Sequence, residues 1–288
     1  MKNIIELCHV SHVYSPGTPF EIQALRDVSV GFERGKITGV IGHTGSGKST
    51  MVQLFNGLIR PTEGQVLLDG VDIWAKPKEI RSIRFRVGLV MQYPEYQLFD
   101  ETVRADIGFA LRNQGLDPAT IEERVLEATD AVGLDRSLLD SSPFDLSGGQ
   151  KRRAAIAGIL AMRPEVLVMD EPAAGLDPKG RRDILGSLDA YRRKYNATII
   201  LVSHSMEDMA TYCDNVVVMN HADVLRCGTT AEIFSDPEAL CEVGLDVPEV
   251  SRIVAELSRR GIRLTGELYT VEGVKQAILS YMRKEGTV

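Results

Sequence analysis

The eight residues Gly42-His43-Thr44-Gly45-Ser46-Gly47-Lys48-Ser49 constrain this chain more than any other stretch. They satisfy the pattern GxxxxGK[ST]. Glycines there let backbone amides curl around phosphate oxygens, Lys48 brings a point charge to the β- and γ-phosphates, and Ser49 can ligate Mg²⁺. Four fixed positions arise by chance in a chain of 288 residues on the order of 1% of the time. The flanks agree with the pattern. Lys36–Ile41 is a short apolar run of strand type entering the loop, and Thr50–Leu58 after it has helical character, so the phosphates meet a helix N-terminus that favours anions. A nucleoside-triphosphate site follows from this, whereas hydrolysis needs further residues.

The rest of the chain supplies an α/β frame for that loop. Residues 4–31 alternate as two antiparallel strands around the loop Ser15-Pro16-Gly17-Thr18-Pro19, and a further β-rich piece covers Gln65–Asp72 with the turn pair Asp69-Gly70. Val166–Met169 and Thr198–Val202 are continuous, β-branched runs of the kind buried in parallel sheets. Residues 100–163 hold no convincing strand, while Glu122–Val132 and Gly149–Met162 have helical composition, so a helical insertion interrupts the core. Beyond Asn215 a hairpin is expected, and after Pro237 mixed amphipathic segments form a small appendage. The expected fold is a P-loop nucleotide-binding core with a parallel sheet, an N-terminal antiparallel β subdomain and a helical insertion. In domain terms this means 1–235 with a helical part at about 95–163, then 236–288, for which dimerisation is a candidate role.

Two other stretches carry chemistry. Val166-Leu167-Val168-Met169-Asp170-Glu171 is an apolar strand ending in adjacent carboxylates. Strand side chains alternate, so the two take different jobs: Asp170 holds Mg²⁺ through water and Glu171 faces the attacking water as base or orienter. An acidic strand cap is the bland alternative, and the glycine loop argues against it. Leu146-Ser147-Gly148-Gly149-Gln150 precedes a helix of small residues, with Ser147 able to cap it and two glycines admitting a phosphate to its N-terminus.

Charge excludes one function class. The formal net charge is −7, and residues 95–145 carry 12 acidic against 4 basic side chains, so no basic stripe suited to nucleic acid exists. The basic run Lys76 to Arg86 is expected to be a solvated helix face. Cys8, Cys213, Cys227 and Cys241 lie far apart without metal-ligand spacing and read as reduced thiols. No stretch approaches 18 uninterrupted apolar residues and the N-terminus lacks a secretory h-region, so the expected location is cytoplasmic.

With these motifs in view, the chain resembles an ATP-binding cassette ATPase over roughly residues 4–230. The resemblance implies ATP and Mg²⁺ as ligands. Tyr14 becomes the aromatic that stacks on adenine, and Gly42, His43, Thr44, Gly45, Ser46, Gly47, Lys48, Ser49 and Thr50 become the nucleotide loop. Ser49, Gln92 and Asp170 become the Mg²⁺ set, with Gln92 also sensing a membrane partner. Glu171 and His204 become the catalytic carboxylate and the switch histidine on the γ-phosphate. Ser147, Gly148, Gly149 and Gln150 become the signature, and Gly175-Leu176-Asp177 a loop crossing a dimer interface.

Gly42-His43-Thr44-Gly45, Gln92-Tyr93-Pro94-Glu95-Tyr96-Gln97-Leu98-Phe99 and Ala174-Gly175-Leu176-Asp177-Pro178-Lys179-Gly180 are similar to the ATPase subunits of energy-coupling factor transporters. His43-Thr44 and Tyr93-Pro94-Glu95 resemble the second of their two paired ATPases, and Gly244-Leu245-Asp246-Val247-Pro248 the appendage of that subgroup. Met169 departs from the usual leucine, a swap between apolar residues of similar size. The resemblance implies a peripheral ATPase on the cytoplasmic face of the cell membrane that drives uptake of vitamins or transition-metal ions. Its implied partners are a second homologous ATPase, a transmembrane coupling subunit and a membrane substrate-binding subunit, with no nucleic acid. Chromosome and DNA-repair relatives would carry a coiled coil or zinc module between Lys48 and Ser147, and the intervening stretch has no heptad run. A ribosome-acting cassette protein would carry two cassettes. The aromatic run Tyr93–Phe99 has two readings, internal packing of the insertion or an exposed groove for the membrane subunit with Leu98 among its exposed members.

Overall fold

Period-two alternation draws the first segment into a hairpin. Strand β1 (Asn3–Tyr14) buries Ile5, Leu7 and Val10, and β2 (Ile22–Glu33) returns antiparallel to it, burying Leu25, Val28, Val30 and Phe32. The computed structural model describes residues 3–284. Strand β3 (Ile37–Ile41) runs into the glycine loop and helix α1 (Lys48–Phe55) leaves it. This helix starts and stops earlier than composition suggested, because Gly47 at φ 104° turns the chain in and Gly57 at φ 65° turns it out. Strands β4 (Glu63–Leu68) and β5 (Val71–Asp72) flank Asp69-Gly70, both left-handed (φ 53° and 77°), as a two-residue hairpin turn of type I′ requires.

Helix α2 (Ile80–Arg86) carries the end of the basic run and buries no residue, as a solvated face should. Its last arginine is not idle, since Arg86 donates to Glu165 at 2.6 Å and to Asp69 at 2.5 Å. Strand β6 (Val87–Val90) follows directly. No strand was expected there, since four residues are too few to show a period. Helices α3 (Val103–Asn113), α4 (Pro118–Ala131) and α5 (Gly148–Ala161) make the strand-free insertion, with Asp117 capping α4 ahead of Pro118. Then come β7 (Val166–Asp170), α6 (Pro178–Tyr195), β8 (Thr198–Val202), α7 (Met206–Tyr212) and the hairpin β9 (Asn215–Asn220) and β10 (Asp223–Thr229). Helices α8 (Thr230–Phe234), α9 (Pro237–Glu242), α10 (Glu249–Arg259) and α11 (Val271–Lys284) complete the described chain. The long helix α6 was not singled out in sequence, although Asp177 caps it by accepting from the Gly180 amide at 2.9 Å, just before Pro178.

Two sheets result. One has the order β2-β1-β4-β5 and is antiparallel; the other has the order β10-β9-β3-β8-β7-β6, parallel except for β10 at its edge. The parallel strands are buried on both faces, which is why they read as unbroken apolar runs. In β7, Leu167 and Met169 join the core beneath the helical insertion, while Val166 and Val168 join the core shared with α1 and the antiparallel sheet. Leu240, Leu245 and Val247 from the last segment are buried in the first of these cores.

Leu98 corrects one expectation. It is 8% exposed and packed in the core, whereas Tyr93, Tyr96 and Phe99 around it are exposed. It is therefore a core residue and not a member of an open groove. Leu98→Asp is expected to lower stability by about 3 kcal/mol or more, because it buries a carboxylate with no partner. Thermal unfolding of the soluble chain checks this, and an unchanged midpoint would return Leu98 to the surface.

Candidate functional site

Open parallel sheets bind ligands beyond the carboxyl ends of their strands. In this sheet β3, β8, β7 and β6 are consecutive neighbours, and each ends at a residue singled out in sequence. The glycine loop follows β3, His204 follows β8, Asp170 and Glu171 end β7, and Gln92 follows β6.

The loop itself is tightly determined. A Cβ on Gly42 would lie 2.6 Å from the Met219 carbonyl oxygen, and one on Gly47 would lie 2.5 Å from that of Ala24, so neither position accepts a side chain. Gly45 faces open space. Helix α1 has no side-chain cap at its N-terminus, which leaves its first amides available to an anion. Ser46 is fully buried and its hydroxyl has no partner. Lys48 folds back, its ammonium donating to the carbonyls of Gly42 at 2.5 Å and His43 at 2.9 Å. Burial pulls its pKa down, against the opposing fields of Glu171 and Asp170. His43 lies between the Thr44 carbonyl and the Asn220 side chain, 3.0 and 2.8 Å away.

The two carboxylates beside the loop sit differently. Burial raises the pKa of Asp170, and a hydrogen bond from the Ser49 hydroxyl together with the charge of Lys48 opposes that rise. Glu171 takes up a left-handed backbone (φ 52°), a strained conformation for a large side chain, with its amide bonded to the Val202 carbonyl at 3.0 Å. Burial drives its pKa up to about 7, within the range of a useful general base. Its Oε1 is buried with no hydrogen-bond partner and lies 3.7 Å from Nε2 of His204. Burial and the neighbouring Lys48 lower the histidine's own pKa, favouring the neutral ring. Lys48, Ser49, Asp170, Glu171 and His204 thus form one electrostatic unit.

The other expected residues lie around it. The Tyr14 hydroxyl is 3.3 Å from that of Thr50 in α1, and its ring, edge-on to His12, is 37% exposed and open to a ligand. Gln92 is exposed, followed by Tyr93 with a left-handed backbone (φ 58°). Ser147 caps α5 in a reciprocal box, accepting from the Gln150 amide at 3.4 Å while its own amide donates to the Gln150 side chain at 2.9 Å. Ser147 and Gly148 are exposed, and Ser147 to Gln150 make no hydrogen bond or ion pair to the loop or to the carboxylates. One chain therefore gathers the phosphate and carboxylate residues but leaves the signature outside. The sequence reading also missed a largely buried pair at this edge, Arg152 with the half-buried Glu95, because residues so far apart in sequence leave no local trace of their contact.

The chain has clear relatives among known proteins. The ABC transporter family matches residues 25–174. The chain is 48% identical to the energy-coupling factor transporter ATP-binding protein EcfA2 of Caldanaerobacter subterraneus subsp. tengcongensis, covering 97% of this chain and 98% of the relative. It is also 48% identical to the protein of that name from Clostridium perfringens, with the same coverage. Among solved structures, CbiO1 from Clostridium perfringens, described as part of the ABC transporter complex CbiONQ, superposes with a TM-score of 0.75 at 36% identity over 88% of this chain and 100% of that one. An ATP-binding cassette solved as a dimer with ADP and Pi in a post-hydrolysis state gives 0.72 at 26% identity, covering 78% and 98%.

Proposed function

Since the chain belongs to the ABC transporter family and is an ATP-binding, ATP-hydrolysing subunit of energy-coupling factor type, coupling hydrolysis to uptake of vitamins or transition-metal ions, we propose how its residues divide that work. The observation that carries the proposal is the shared edge of four neighbouring parallel strands, where Lys48, Asp170, Glu171 and His204 meet. Lys48 leaves the carbonyls of Gly42 and His43 for the β- and γ-phosphates, and the free amides of α1 take the remaining oxygens. Tyr14 offers its exposed ring to adenine. Glu171, with its unpartnered Oε1, orients the attacking water and accepts its proton, while neutral His204 contacts the γ-phosphate.

The donor set also fits a magnesium ion. Ser49 and Asp170 supply adjacent hard oxygens, and Gln92, which follows the neighbouring strand β6, would supply a third, few enough to leave positions for phosphate oxygens. Bound there, Mg²⁺ would neutralise charge on the β- and γ-phosphates. The chain's own task is to hold Ser49 and Asp170 in register, which the strand end of β7 and the first turn of α1 do.

The nucleotide-binding unit spans 1–235, with its helical part at about 95–163, and 236–288 is an appendage. The signature Ser147-Gly148-Gly149-Gln150 completes the site of a second homologous ATPase. A transmembrane coupling subunit and a membrane substrate-binding subunit hold the pair at the cytoplasmic face of the cell membrane. Among the described residues no helix is long and apolar enough to cross a membrane. Support for a docking surface comes from Tyr93, Tyr96 and Phe99, which stand exposed beside Gln92, with Phe99 edge-on to the exposed Phe109 at 4.9 Å. Tyr96, 84% exposed, bears on no core packing. Tyr96→Asp is expected to leave folding and ATP binding unchanged while abolishing recovery of the ATPase with a tagged transmembrane subunit. Full recovery with normal uptake would refute docking at this surface.

A further inference from the structure

We propose that Arg152, paired with Glu95, is a positioning residue that links the partner-facing segment to the nucleotide-contacting elements. The proposal rests on the docking surface described above. Arg152 lies in α5, five positions after Ser147, and its side chain is only 5% exposed. Its guanidinium grips the Glu95 carboxylate with two bonds, Nε to Oε2 at 3.0 Å and Nη2 to Oε1 at 2.8 Å. Its remaining nitrogen, Nη1, donates to the carbonyl oxygen of Ala174.

Each of these three attachment points leads somewhere different. Glu95 sits in the short 3₁₀ turn Pro94–Gln97, between the exposed Tyr93 and Tyr96. Ala174 belongs to the turn that begins at Glu171, and its amide donates to the Glu171 carbonyl at 3.2 Å. Arg152 itself travels with the helix that the signature opens. One rigid planar fork therefore joins the aromatic surface, the signature helix and the loop that carries the catalytic carboxylate. A load on Tyr93 or Tyr96 reaches the guanidinium, and so α5, through its two bonds to Glu95, and residue 174 through its third.

Stability alone is a weak reason for the pair. Taking charges out of water is costly, Arg152 is 5% and Glu95 17% exposed, and apolar residues of similar volume often serve as well or better. What a bidentate pair supplies and an apolar contact lacks is a fixed geometry. The adjacent Arg153 makes no such link, donating instead to the Val132 carbonyl at 2.6 Å and to Asp183 at 3.3 Å.

The test uses the assembled transporter in lipid vesicles, with a radiolabelled vitamin as probe and the binding subunit for that vitamin co-reconstituted. Glu95→Gln with Arg152→Met leaves no buried charge behind, and Arg152→Lys keeps the charge but loses the fork. Both variants are expected to bind ATP and to be recovered with the tagged transmembrane subunit, yet to move about tenfold less vitamin per ATP hydrolysed. The double variant should be no worse than either single change, as two ends of one link require. Should the double variant fail to fold, Arg152→Lys alone reads the same ratio. An unchanged ratio overturns the proposal. So does loss of recovery, which would make the pair part of the docking surface itself. Failure of the docking reading shows separately, as normal recovery and uptake of Tyr96→Asp.

Discussion

Replacing Glu171 with glutamine is expected to leave ATP bound and to slow hydrolysis by roughly 10²-fold or more. The amide is nearly the same size as the carboxylate, so packing beside His204 and the left-handed turn at residue 171 survive. What disappears is the ability to accept a proton. Oε1 of Glu171 has no hydrogen-bond partner, and burial raises the group's pKa to about 7, so the carboxylate is able to take a proton from water. Lys48→Ala should give the opposite pattern. Its ammonium makes only two bonds to loop carbonyls, so the fold tolerates its removal, but tight ATP binding is lost with the charge. Equilibrium binding with a fluorescent ATP analogue and phosphate release in the assembled complex separate the two. Parental turnover in Glu171→Gln would remove this residue from the chemistry.

Ser147→Arg is expected to be as damaging to turnover while sparing nucleotide binding by the isolated chain. Within one chain the signature makes no hydrogen bond or ion pair to the glycine loop or to Glu171, and on the proposed reading its exposed helix N-terminus takes a phosphate held by a second subunit. A guanidinium at this position puts a long cationic side chain where a small hydroxyl should meet the γ-phosphate of a second subunit. It also removes a helix cap, a loss of about 1 kcal/mol that the fold absorbs. Light scattering in the presence of ATP reads dimer closure directly. Undiminished dimerisation would count against a site completed between subunits.

Legibility in the sequence followed the range of the interactions. The glycine loop was readable because its residue types stand at fixed spacing within a single turn: Gly42 and Gly47 take positive φ and Lys48 and Ser49 are placed by the helix they begin, although the Met219 and Ala24 carbonyls that also exclude side chains at the two glycines lie far off in sequence. Strands β7 and β8 were readable because burial on both faces leaves an unbroken apolar run. The cap at Ser147 acts within three residues, so its position could be inferred from residue type alone. Strand β6 was hidden because Val87–Val90 is held by pairing with β7, a partner lying beyond the whole insertion.

Sequence alone thus determined the phosphate loop, the pair of carboxylates, the signature and the kind of sheet that carries them, since each is written in neighbouring residues. Tertiary structure decided the rest. It put Leu98 in the core while leaving Tyr93, Tyr96 and Phe99 outside, gave Glu171, unlike Asp170 beside it, a buried oxygen without a hydrogen-bond partner, and locked Arg152 onto Glu95. Burial and pairing of this kind depend on which distant surfaces meet, and the free energy that fixes them comes from contacts that no local run of residues encodes.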